Sequence, residues 1–84
     1  MTLEIGKAYL GKYYLSEMEV ILIVRGKSIG HQKTTWNVET IGHSIEVNGK
    51  KEMRRVNINI PGLLVENLWS FRELSDGELE AWLL

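Results

Sequence analysis

The chain has 84 residues, 44% of them apolar and 25% charged, with a net charge of −1. That is enough apolar surface for one small core and argues against disorder, but a domain this small buries only about 60–65% of its unfolded surface, which leaves little chain for an enclosed active site as well. Cysteine is absent, which excludes disulfides, thiolate zinc sites and thiol nucleophiles.

Residues 1–84 therefore read as a single small domain. The opening Met1-Thr2-Leu3-Glu4 has no basic or apolar leader, and the longest apolar run, Val20 to Val24, is far short of a membrane span. A cytoplasmic setting with no membrane partner is the expectation. Charge is uneven: residues 1–60 carry nine Lys/Arg against six Asp/Glu, and residues 61–84 carry one Arg against five acids.

The first predicted strand, Ala8 to Leu15, is rich in tyrosine and entered through a bend at Gly6. Glu19 to Arg25 is the strongest strand, because five consecutive aliphatic residues suit a strand buried on both faces, hence a central one. Gly26 to Gly30 reads as a loop. Lys33 to Ile41 alternates, with Trp36, Val38 and Thr40 on one face and Thr35, Asn37 and Glu39 on the other. Gly42-His43 reads as the next turn.

Asn48-Gly49 is the clearest local signal, since a two-residue type I′ turn needs positive φ at both positions. That turn sets Val47 opposite Lys50, Glu46 opposite Lys51 and Ile45 opposite Glu52. On the returning strand Arg54, Val56, Ile58 and Ile60 share one face, mostly core, while Met53, Arg55, Asn57 and Asn59 share the other. Pro61-Gly62 is expected to end that strand, with a helical turn over Leu63 to Leu68 and a last strand over Trp69 to Leu74. Ser75-Asp76-Gly77-Glu78 fits a capping box, which starts a helix over about 76–83 whose apolar stripe is Leu79, Trp82 and Leu83.

Each chemical motif is incomplete. Gly26-Lys27-Ser28 resembles the end of a phosphate-binding loop, but that motif needs a glycine where Ile21 stands, and a helix next. His31 and His43 sit beside glycines in separate predicted loops, with no third ligand at metal-binding spacing. Glu17 and Glu19 would need a deep cleft to act as a carboxylate pair, and no serine or threonine is spaced with a base. The chain reads as a non-enzyme that calls for no cofactor and no metal. Two sets of residues are candidates for binding. Arg25, Lys27, His31, Lys33, Arg54 and Arg55, with Trp36 nearby, could form a basic face for nucleic acid or a small anion. Trp69, Phe71, Leu79, Trp82 and Leu83 could form an apolar interface; a two-turn helix is unstable alone, so its stripe is expected to pair two copies of the chain in a homodimer, with docking on its own sheet as the alternative.

Five or six short antiparallel strands, a helical turn before the last and a terminal helix together resemble an SH3-like small barrel; an OB-like barrel is the alternative, although its helix more usually lies between strands. The opening Ile5-Gly6-Lys7-Ala8-Tyr9 is similar to the start of small barrel proteins of phages and mobile elements. The likeness covers most of the chain as topology and this one segment as motif. It implies a binding module and transfers no site residues. The expected function is a small accessory protein that binds and inhibits a host protein. A nucleic-acid-binding barrel and an oligomer that sequesters an anionic ligand such as a nucleotide are the alternatives.

Overall fold

The computed structural model describes residues 3–15, 17–65 and 69–84. It is mainly β: β1 (Ala8–Tyr13), β2 (Glu19–Ile29), β3 (Thr34–Val47), β4 (Lys50–Leu64), β5 (Trp69–Glu73) and one helix, α1 (Asp76–Leu83). The strands form one antiparallel sheet in the order β4-β3-β2-β1-β5. The first four follow one another as a meander, and β5 returns to pair with β1. The sheet curls, because Leu63 and Val65 from one side and Trp69 and Phe71 from the other pack on the same cluster. β4 and β5 do not pair, so the expected closed barrel is an open sheet with two edges.

The aliphatic run forms the middle strand, as its composition requires. Val20, Leu22 and Val24 join Leu3, Tyr9, Trp36 and Val38 in the core, and alternation sends Ile21 to the opposite face, where it is also buried. The Asn48-Gly49 turn forms with φ of 52° and 78°, and the pairs Val47↔Lys50, Glu46↔Lys51 and Ile45↔Glu52 are those the turn predicts. The Lys51 ammonium, however, lies 2.9 Å from Glu19 rather than on Glu46.

Three predicted breaks are instead bulges or kinks within long strands. β2 runs through Gly26-Lys27-Ser28, with Arg25 as the extra residue against β3, so the phosphate-loop lookalike lies in a strand. β3 runs through Gly42-His43, and Ile41 has no cross-strand partner in either ladder. β4 runs through Pro61 to Leu64, with Gly62 (φ 119°) as the extra residue between Leu63 and Pro61. Proline is tolerated there because β4 is an edge strand. Leu63 and Leu64 are thus extended, and the rest of the predicted helical turn, residues 66–68, lies outside the described residues. β1 stops at Tyr13, and Tyr14 and Leu15 stand in the following turn.

The helix begins where the capping box placed it. Ser75 Oγ accepts from the Glu78 amide at 3.2 Å, and the Glu78 carboxylate accepts from the Ser75 amide at 3.1 Å. It docks on the chain's own sheet through Trp82, whose indole N–H donates to the Ile41 carbonyl at 3.1 Å. A bulge leaves its extra residue outside the ladder, and Trp82 takes up that carbonyl. The ring lies over Gly42 beside Ile21, where a Cβ on Gly42 would come within 2.9 Å of it.

Gly49→Val is expected to destabilise the protein by about 1–3 kcal/mol, because nothing crowds position 49 and the whole cost is conformational; the midpoint of urea unfolding should fall accordingly. Gly42→Ala should shift the Trp82 indole resonance in an NMR spectrum while leaving the β-sheet circular dichroism in place.

Candidate functional site

The six basic-face candidates do not converge. His31 and Lys33 stand in the turn between β2 and β3, both exposed. Arg25 is tied to Glu39 at 3.0 Å. Lys27 lies 5.4 Å over the ring of Trp36, which is buried and so offers no stacking platform. Arg54 and Arg55 are on β4 far from these: Lys27 pairs across to Trp36 and thence to Leu63, nine residues beyond Arg54 along the strand, or roughly 30 Å at the rise of an extended chain. His43, expected in a loop, is half-buried in β3 opposite Arg54, with a ring nitrogen 3.1 Å from Met18 Sδ. Among the described residues no cluster of three or more His, Asp or Glu could hold a metal ion, and no helix is long and apolar enough to cross a membrane.

The apolar candidates divide between the two faces. Trp69 and Phe71 stack at 5.8 Å and pack on the core, with Tyr13 edge-on to Trp69 at 5.1 Å. Gly11 makes room for them, since a Cβ there would lie 2.7 Å from the Phe71 ring. Trp82 is occupied by its own sheet, with the Arg55 guanidinium 5.7 Å over its ring. Leu79 is half-buried beside Lys7 and Leu74. Leu83 stays exposed.

What the sequence reading missed is the edge of β4. Val56, Ile58 and Ile60 alternate as core residues do, yet Val56 is only half-buried, Ile58 is 50% exposed and Ile60 36%. The cross-strand partners of Ile58 and Ile60, Thr40 and Val38, are buried; among the described residues β4 has a neighbouring strand on one side only. The other edge, β5, is five residues long and carries Arg72 and Glu73, which is how natural sheets blunt an edge. β4 is fifteen residues long. Lys50, Lys51, Arg54 and Arg55 guard its first half, and Pro61 and the Gly62 bulge guard its end. Between them Val56-Asn57-Ile58-Asn59-Ile60 has no charge, proline or glycine. This window has the composition of a segment that adds further strands.

The cations beside the window differ in what holds them. Lys51 is bound to Glu19 and, at 3.1 Å, to the Glu17 carbonyl; the Glu19 carboxylate raises its pKa above the ordinary lysine range. Arg54 reaches Glu52 only at 3.6 Å, with both side chains more than half exposed, a contact of little energy. Arg54 therefore remains available to an incoming carboxylate, and Arg55, whose guanidinium lies over the Trp82 ring, makes no ion pair among the described residues and keeps its N–H groups for a carboxylate.

Family models, curated proteins and solved structures were compared with the chain, and none matches.

Away from the edge, α1 carries the clearest titrating contact. The Arg72 guanidinium, 3.1 Å away, and the Ser75 amide hold the Glu78 carboxyl at a pKa of about 2, down from 4.5. A carboxylate with a lower pKa folded than unfolded adds stability that is complete above about pH 4.5 and lost by about pH 2. Since the pair is exposed, the effect should be local. The Trp82 indole resonance is expected to move as α1 loosens over this range, and Glu78→Gln should abolish that pH-dependent component.

Proposed function

We propose that this chain is a non-catalytic binding module that takes an extended segment of a protein partner as a further strand on β4. The uncharged window Val56–Ile60 on a long edge strand, with Ile58 and Ile60 exposed and Val56 half-buried, carries this reading. Main-chain hydrogen bonds along such an edge supply affinity, and alternate side chains supply specificity. The strand order, with β5 returning to β1 after a meander, supports keeping the likeness to SH3-like small barrels, here opened between β4 and β5. On that likeness the partner is a host protein that the chain inhibits. Nucleic acid is the weaker reading, because the six candidate basic residues are spread between the β2–β3 end of the sheet and the first half of β4, and Arg25 is neutralised within the chain.

Selection from a random peptide display library tests the edge. Selected peptides should protect β4 amides from hydrogen exchange, and Ile58→Lys with Ile60→Lys should weaken them at least tenfold while circular dichroism shows the sheet intact. Peptides that bind the double variant as well as the parent would place the binding surface elsewhere.

A further inference from the structure

We propose that the segment taken by β4 runs antiparallel to it and reads, from N- to C-terminus, two alternate apolar residues and then a pair of carboxylates. This rests on the edge reading above and adds direction and chemistry to it.

Direction follows from the sheet. All four ladders are antiparallel, and an antiparallel addition continues that geometry with the slightly stronger pairing. β4 itself reads basic and then apolar: Lys50, Lys51, Arg54 and Arg55 with only Glu52 against them, followed by Val56, Ile58 and Ile60. An antiparallel partner must therefore read apolar and then acidic. The start of the pairing is fixed as well. Pro61 has no N–H, and the Gly62 bulge turns the strand. The partner's first paired residue thus lies opposite Ile60 and its next apolar residue opposite Ile58. A pair of carboxylates facing Arg55 and Arg54 follows, beyond the irregularity at Val56-Asn57, where two β4 residues stand against the single Ile41 of β3.

A second copy of the chain fits less well. Pairing two β4 strands about Ile58 sets Ile58 against its copy and Val56 against Ile60, but it puts Arg54 against Gly62 and Arg55 against Pro61 and gives the cations no carboxylate. Sliding the pair to bring Arg54 opposite Glu52 sets Arg55 opposite Lys51, and like charges directly opposite are destabilising. No self-pairing satisfies both halves of the edge.

The test uses the intact protein, labelled with nitrogen-15, and three nine-residue probes built on threonine. The first carries alternate isoleucines near its N-terminus and a glutamate pair near its C-terminus. The second has the same composition in reverse order, and the third has lysines for the glutamates. The first should shift the amide signals of Val56 to Ile60 and bind at least tenfold more tightly than either control, the more so at low salt. Arg54→Glu with Arg55→Glu should invert the preference toward the lysine probe. Equal binding of the forward and reversed probes would overturn the stated order. If no probe binds while display-selected peptides still protect β4, the order and charge fall and the edge reading stands. If selected peptides also ignore β4, both fall. A wild-type dimer that Ile58→Lys with Ile60→Lys converts to monomer in sedimentation would make the occupant a second copy and overturn the proposal.

Discussion

Burial of β2 on both faces is the constraint on which the rest depends. Val20, Leu22 and Val24 hold the concave core, with Leu22 and Val24 essentially inaccessible to water, while Ile21 anchors the opposite face under Trp82. A strand buried twice must lie inside a sheet, with a neighbour on each side. β1 and β3 take those places, and β4 and β5 are left as the outer strands. Leu22 is the largest of the fully buried side chains, and truncating a leucine in such a setting to alanine costs about 2–5 kcal/mol.

The open edge is a consequence of how this curl is built. The core needs Leu63 and Val65 from the end of β4 and Trp69 and Phe71 from β5. Both outer strands therefore bend toward one cluster, but they meet it as side chains and not as a hydrogen-bonded ladder. Only the end of β4 takes part in that packing. Its middle, Val56 to Ile60, runs beside β3, and among the described residues no strand pairs with its other edge. The isoleucines there have the residue type of a core and the position of a surface, and an exposed uncharged edge of that kind usually serves association.

Bulges connect the two faces. The bulge at Ile41 leaves a carbonyl outside the ladder, and the Trp82 indole takes it, so α1 is seated by a defect in β3. The extra residue on β4 opposite the same point places Arg55 opposite Gly42, where it covers the Trp82 ring. The helix has no buried residue of its own. Its position rests on this indole, on half-buried Leu79 beside Lys7 and Leu74 and on the Arg72–Glu78 pair, which ties its first turn to β5.

The sequence by itself determined the parts governed by local chemistry. The Asn48-Gly49 turn and its register follow from φ preferences, the α1 start from the Ser75–Glu78 capping box, the central place of β2 from its aliphatic run, and the inward face of Trp36, Val38 and Thr40 from alternation. Only the tertiary structure decided the rest. Gly26, Gly42 and Pro61-Gly62 carry ordinary turn residues, and whether such a residue ends a strand or bulges within it depends on a neighbouring strand that local sequence does not name. Ile58 and Ile60 alternate as core residues do, but alternation reports which side chains share a face and not whether anything covers that face. Coverage is a property of strand order, and strand order is set by long-range packing on β2.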